Sequence, residues 1–265
     1  MPSKKISIIG CGWLGLPTAK MLVESGNEVI GTTTREARLA EIEEQGIRPI
    51  LLQLTNKVIE CDNHQIWRAD TFIVAIPPGV RHHGRDYHIG QIKLLLEKLP
   101  ELAHLIYVSS TSVYPSLAGT YDESFALAID TTGNRTLFGS EQLILSRKKT
   151  TILRCGGLMG ANRVSGRYFA GKQVSGEKQP VNYIHQIDAA KIITKVAESE
   201  LTGIYNLVAP EHPLRPEVYK VNSQLFGFEM SSFKDDGINR IIEGNKITER
   251  LSYDFEYPDP RHFHS

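Results

Sequence analysis

Lys5-Ile6-Ser7-Ile8-Ile9-Gly10-Cys11-Gly12-Trp13-Leu14-Gly15 is the stretch on which the rest of the chain turns. A β-branched run of buried-strand character leads directly into glycines spaced G-x-G-x-x-G, and helical spacing follows from Trp13 to Glu24. Each glycine answers a separate demand: Gly10 permits a tight turn, Gly12 lets a pyrophosphate approach the backbone, and Gly15 lets the helix pack closely on the strand. The helix start then offers free N–H groups and the positive end of its dipole to the phosphates. The pattern alone also fits a tight turn without ligand. Its place at the first strand–helix junction of a repeating series selects a dinucleotide site made by Gly10, Gly12, Trp13, Leu14 and Gly15. Cys11, a small residue in this turn, is expected to face the interior or the cofactor edge, and a reactive thiol is the alternative.

Outward from the turn, strand and helix signals alternate. Glu28-Val29-Ile30, Ile50-Leu51-Leu52, Thr71 to Ala75, Leu105 to Val108, Thr151-Ile152-Leu153 and Ile204 to Val208 read as strands. Helices are expected over Arg35–Gln45, Tyr87–Leu99, Arg135–Arg147, Asp188–Ala197 and Pro216–Phe226. Such alternation implies right-handed crossovers and a parallel sheet covered on both faces. The fold class is therefore α/β, a doubly wound parallel-sheet Rossmann fold with a small C-terminal substrate lobe. Residues 1–155 and 189–208 are assigned to the dinucleotide-binding core. Residues 156–188 and 209–265 are assigned to the lobe, because the glycine-rich stretch from Cys155 to Pro180 breaks the rhythm.

The chain has 265 residues, 41% of them hydrophobic and 23% charged, which suits a globular protein with a sizeable core. Thirty basic residues balance thirty acidic ones, so nucleic acid and anionic membranes are not expected partners. No apolar run approaches the ~20 residues of a bilayer span. The start, Met1-Pro2-Ser3-Lys4-Lys5, precedes an apolar run too short and glycine-broken for a secretory leader. Cys11, Cys61 and Cys155 stand in no metal-binding spacing, so a disulfide framework and a metal site are not expected, and a cytoplasmic location is the default.

The residues after the second strand set the cofactor preference. An NAD site places Asp or Glu about 20 residues beyond the glycines to hold the ribose 2′-hydroxyl. Here the sequence is Gly31-Thr32-Thr33-Thr34-Arg35, whose hydroxyls and guanidinium suit a 2′-phosphate. Thr33, Thr34 and Arg35 thus favour NADP over NAD; the competing assignment makes Thr34 a helix cap and Arg35 a solvated side chain. Ala75 and Pro77, where the fourth strand ends, complete the expected cofactor contacts.

Several further segments resemble the extended short-chain dehydrogenase/reductase proteins of the NAD-dependent epimerase/dehydratase type. Tyr107-Val108-Ser109-Ser110-Thr111-Ser112-Val113-Tyr114-Pro115 resembles the family's strand ending in Ser-Ser followed by Val-Tyr, and Asp122-Glu123 the acidic pair beyond it. Leu153-Arg154 and Gly157-Leu158-Met159-Gly160 resemble the entry to the substrate lobe, Ile184-His185-Gln186-Ile187-Asp188 the Ile-His-x-x-Asp segment, and Gly203 to Leu207 the last core strand. Tyr257-Pro258-Asp259-Pro260-Arg261 resembles a tail of a less characterised branch. The resemblance implies a nicotinamide cofactor and a Tyr-x-x-x-Lys acid/base pair. Anchored on Glu141-Gln142-Leu143, that pair falls on Gly133 and Leu137, neither of which transfers a proton or carries charge.

Elimination moves the expected acid/base to Tyr114, with Arg135 or Arg154 as the cation lowering the tyrosine pKa, and the resemblance implies Ser110, or its neighbours Thr111 and Ser112, as the hydroxyl that hydrogen-bonds the substrate. Packing in the turn after the strand is the competing role for Tyr114. Ser112, Arg154, Arg163 and Arg167 are candidate substrate contacts, since the resemblance implies arginines at the lobe entry that grip an anionic substrate, for which guanidinium is suited; solvated loop arginines are the alternative. Arg81-His82-His83-Gly84-Arg85-Asp86-Tyr87-His88 reads as a polar loop lining the cleft rather than a metal site. Asp188 is expected to cap the next helix, and His262 and His264 to lie in a disordered end. The sum is an NAD(P)-binding epimerase/dehydratase-like oxidoreductase, monomer or homodimer, acting on a small hydroxylated substrate such as a nucleotide sugar with a non-standard acid/base. The competing function is a non-catalytic NADP(H)-binding sensor or regulatory protein.

Overall fold

The computed structural model describes residues 3–61, 63–160, 162–199 and 201–264. Met1 and Pro2 of the leader reading, and the Arg81 side chain of the histidine-rich segment, lie outside the described residues. The chain divides into two units, residues 1–109, 134–153 and 190–204 in the first, and residues 110–133, 154–189 and 205–265 in the second.

In the first unit β1 (Lys5–Ile9), α1 (Gly15–Glu24), β2 (Glu28–Thr33), α2 (Leu39–Glu43), β3 (Arg48–Leu54), β4 (Ile59–Cys61), β5 (Thr71–Val74), α3 (Val80–His83), α4 (Arg85–Lys98) and β6 (His104–Ser110) follow one another. After a segment containing β7 (Gly119–Tyr121), the chain continues through α5 (Arg135–Leu145), β8 (Thr150–Cys155), β9 (Gly157–Met159), β10 (Gln173–Val174) and β11 (Tyr183–His185). α6 (Gln186–Ser199), β12 (Gly203–Leu207), α7 (Arg215–Phe226), β13 (Ser232–Phe233), β14 (Arg240–Ile242) and α8 (Asn245–Leu251) complete it.

The main sheet runs in the order β12-β8-β6-β5-β1-β2-β3-β4. β1 pairs in parallel with β2 and β5, β2 with β3, and β5 with β6. The strand order reverses across β1, which is the doubly wound arrangement expected from the alternation of elements. β4, whose short segment carries no strong strand signal, adds antiparallel to the β3 edge. Ile6, Ser7, Ile8 and Ile9 are all buried, as a strand covered on both faces requires. The Ser7 hydroxyl escapes an unpaired burial by donating to the Ile66 carbonyl at 2.7 Å. α1 buries Thr18, Ala19 and Leu22, and the Thr18 hydroxyl is satisfied by the Leu14 carbonyl at 2.9 Å.

The second unit is built of short pieces. β11 pairs in parallel with β9, β14 with β7, and β13 with β10. Its C-terminal tail is fixed, which corrects the expectation of disorder around His262 and His264. Asp188, rather than capping, sits in the first turn of α6. Its carboxylate accepts from the Tyr253 hydroxyl at 2.6 Å and from the Glu256 and Tyr257 amides at 2.9 and 3.0 Å. The His185 ring lies 3.7 Å from that of Tyr257, and Phe263 is buried. The Ile-His-x-x-Asp segment and the Tyr-Pro-Asp tail are thus two halves of one structural clasp, since a buried carboxylate must find donors and the tail supplies them.

Candidate functional site

The glycine turn forms as its spacing requires. Gly10 adopts φ +102°, a conformation L side chains rarely adopt. A Cβ on Gly15 would run into the Gly10 carbonyl oxygen, so this glycine keeps α1 against the turn. The turn is tied to β2, with Gly10 N donating to Thr32 Oγ1 at 2.9 Å and Cys11 N to the Thr32 carbonyl at 2.8 Å. Gly12 differs from both. Its φ lies outside the left-handed region, and a Cβ there would meet no atom within 4 Å. The fold itself makes no demand for glycine at this place, which borders the open space over the turn.

That space is a cavity of about 480 Å³ at the C-terminal ends of β1, β2, β3 and β5. Gly10, Gly12, Thr33, Thr34, Arg35, Ala75 and Pro77 line it, together with Arg38, Gln53, His83 and Tyr87. Of the other residues of the turn, Leu14 is buried at the start of α1, and Trp13 and Gly15 are not among the lining residues. Cys11 also reaches the cavity, yet burial pushes its thiol up to about 12, so it is an uncharged packing residue at neutral pH. Its sulfur explains Gly31, where a Cβ would approach it to 2.5 Å.

The electrostatics of the cavity come from the end of β2. No carboxylate is among the described residues lining it, whereas Arg35 and Arg38 are. Thr33, rather than Thr34, shapes the turn, its Oγ1 accepting from Arg35 N at 3.1 Å. Arg38 is a site residue that the sequence reading missed. Its Nη1 donates to the Cys11 carbonyl at 3.0 Å, and its Nε and Nη2 donate to Glu41 at 2.9 and 3.0 Å. Its sequence signal was only a second arginine one turn after Arg35, indistinguishable from a solvated helix residue.

The histidine-rich segment is not a loop: it forms α3 and the first turn of α4. Its histidines part company because consecutive helical positions face different ways. His88 is buried, bonded to Gln91 at 3.1 Å and to the Tyr107 hydroxyl at 2.8 Å. His83 stacks on Tyr87 and lines the cavity.

In the second unit, the environment of Tyr114 corrects the picture of a residue open to a cleft. The ring is completely buried. Its hydroxyl donates to Asn206 Oδ1 and accepts from Arg154 Nη1, each at 3.0 Å, while the guanidinium carbon lies 5.0 Å from the ring centre. The cation expected beside the tyrosine is present, but burial outweighs it and the phenol pKa is raised, not lowered. Arg154 itself is buried, which removes it from a solvated loop. Arg163 and Arg167 are exposed, the latter over the Phe226 ring at 4.9 Å. Ser110 and Ser112 are half-buried, and Ser110 Oγ accepts from Ser112 N at 3.1 Å.

The two positions of the absent acid/base pair have steric reasons. A Cβ on Gly133 would strike the carbonyl oxygens of Tyr114 and Ser112. Gly133 N also donates to the Val113 carbonyl at 3.1 Å, so the backbone occupies the place of a side chain. Leu137 is buried in the first unit. Glu141, one turn further on, is buried and accepts from the Ser109 hydroxyl at 2.6 Å. Arg135 is exposed at the start of α5.

A scan against protein-family profiles finds no match. Among known sequences, the chain is 33% identical to protein YeeZ of Escherichia coli K12 over 270 residues, spanning 97% of both chains. Among solved structures, it is similar to MoeE5 in complex with UDP-glucose and NAD, with a TM-score of 0.78, 16% identity and coverage of 98% of this chain and 96% of the other. It is also similar to human epimerase family protein SDR39U1 with NADPH, with a TM-score of 0.68, 17% identity and coverage of 97% and 96%.

Proposed function

We propose that this chain, which belongs to the same family as protein YeeZ, is a nicotinamide-dinucleotide oxidoreductase of the extended short-chain dehydrogenase/reductase, NAD-dependent epimerase/dehydratase type, preferring NADP. The observation that carries this proposal is Gly12, the one glycine of the turn that the fold leaves unconstrained and that a bound pyrophosphate explains. The residues fit the group: the turn and the start of α1 hold the pyrophosphate, and Thr33, Thr34 and Arg35 receive the 2′-phosphate. Arg38 adds donors on the same side. When bound, the nicotinamide supplies or accepts a hydride. UDP-glucose in MoeE5 supports a small hydroxylated substrate of nucleotide-sugar kind, with Ser110 and Ser112 as its hydroxyl partners and the exposed Arg163 and Arg167 as cationic contacts for its phosphates.

In this proposal Tyr114 is a structural residue rather than the acid/base. Its hydroxyl is engaged by Arg154 and Asn206, and burial disfavours its ionised form. A second reading, a non-catalytic NADP(H) sensor, is favoured by a specific observation: backbone fills the tyrosine position at Gly133, and the lysine position is a buried leucine.

The test is a titration with NADPH and NADH, followed by turnover of sugar nucleotides and small carbonyl compounds with the preferred cofactor. Turnover supports the oxidoreductase. Tight binding with no turnover across the panel moves the assignment to the sensor, and absence of binding overturns both.

A further inference from the structure

We propose that the stacked His83–Tyr87 pair is the aromatic wall that receives the purine base of the bound dinucleotide, an inference that rests on the cofactor reading above. The rings lie 4.2 Å apart, centre to centre, with 21° between their planes, and both line the cavity over the glycine turn. Elsewhere in the fold they have an obvious local role, tying α3 to α4, but that role does not require them to border a cavity. The short helix that carries His83 is flanked by Gly79 at φ +62° and Gly84 at φ +84°, so the backbone turns sharply on both sides to bring it there.

The position in the cavity identifies the ligand fragment. In this class of fold the ribose 2′-position of the adenosine half is read at the end of β2, here Thr33 to Arg35. The base hangs from the same ribose, so it must occupy the part of the cavity nearest β2 and its neighbour β3. Leu52 and Leu54 are the apolar walls of that part. The Gln91 amide is already engaged by the Leu54 carbonyl at 2.7 Å and by His88 at 3.1 Å. Among the described lining residues, the aromatic rings available to a heterocycle are those of His83 and Tyr87. Aromatic stacking is the ordinary means of holding a base, because every base presents a π-face.

The experiment measures calorimetric affinity for NADPH and for adenosine 2′,5′-bisphosphate, which keeps the base and its ribose but lacks the nicotinamide half. Tyr87→Ala is expected to weaken both ligands by the same factor, about tenfold within the range for loss of one base–ring stack. Tyr87→Phe keeps the ring and should stay within about twofold of wild type on the same argument. His83→Ala, at an exposed position, should show the same pattern with a smaller loss, and it serves if Tyr87→Ala does not fold. Unchanged affinity for the bisphosphate in the alanine variants overturns the wall. So does a loss in Tyr87→Phe as large as in Tyr87→Ala, which would assign the effect to the hydroxyl. Wild-type protein that binds neither ligand overturns the cofactor reading itself, a result distinct from wild-type binding that the variants leave untouched.

Discussion

Replacing each glycine of the turn by alanine separates what the fold needs from what a ligand needs. At Gly10 an added Cβ faces the Ala75 carbonyl oxygen and Ile76 Cγ2, both at 3.0 Å, from a backbone at φ +102°. A left-handed conformation costs an L-residue about 1–2 kcal/mol, and crowding adds about 1–3 kcal/mol. At Gly15 the Cβ would strike the Gly10 carbonyl oxygen, with a crowding cost of about 1–3 kcal/mol or more. At Gly12 there is no atom within 4 Å and no left-handed φ. Gly12→Ala should leave stability unchanged or raise it by about 0.4–1 kcal/mol, because alanine restricts the unfolded chain. In thermal unfolding, with about 2–4 °C per kcal/mol for a chain approaching this size, Gly10→Ala and Gly15→Ala should melt several degrees lower and Gly12→Ala should not. Cofactor affinity should show the reverse selectivity. Gly12→Ala should bind NADPH about 5- to 150-fold more weakly, the equivalent of ~1–3 kcal/mol of overcrowding against the pyrophosphate, and Gly12→Val should abolish binding. A Gly12→Ala protein that melts as low as Gly15→Ala would show that the glycine serves the fold. One that melts like wild type and binds NADPH normally would refute the pyrophosphate site.

Arg35→Ala is expected to weaken NADPH by ~1.5–3 kcal/mol, the value of hydrogen bonds to a charged group, and to leave NADH nearly unchanged in a paired titration; equal losses would remove Arg35 from the preference. Tyr114→Phe should lower stability by ~1–3 kcal/mol in denaturant unfolding, because Arg154 and Asn206 each lose a partner for the phenol in a buried setting; turnover, where present, should survive in the folded fraction. Acid should destabilise the protein through His88, whose pKa burial holds below its ordinary 6.5. The unfolded chain takes up a proton that the folded one refuses, so this contribution is complete above pH 6.5 and is lost as pH falls through the lower folded value. His88→Gln should flatten that part of the stability–pH curve, and an unchanged slope would exclude His88 as its source.

The fold class and the location of the glycine turn were legible in the order of residues alone. The strand runs, the helix period and the glycine spacing are local signals, each readable within about ten residues. The missing Tyr-x-x-x-Lys pair was legible for the same reason, since it is a question of residue identity. Tertiary structure decided what the identities could not. Gly12 and Gly15 look alike in the chain, but only contacts across the turn show that Gly15 is jammed and Gly12 is open. Tyr114 reads as an accessible phenol beside a strand end, yet Asn206, 92 positions away, and Arg154, 40 positions away, enclose its hydroxyl. Arg38 and the His83–Tyr87 stack become cavity walls because β5, β1, β2 and β3 end side by side, a neighbourhood that sequence order does not display. Burial and hydrogen-bond partnership are properties of the assembled neighbourhood, and they set whether a hydroxyl ionises, whether a glycine is replaceable and which face a ligand can reach.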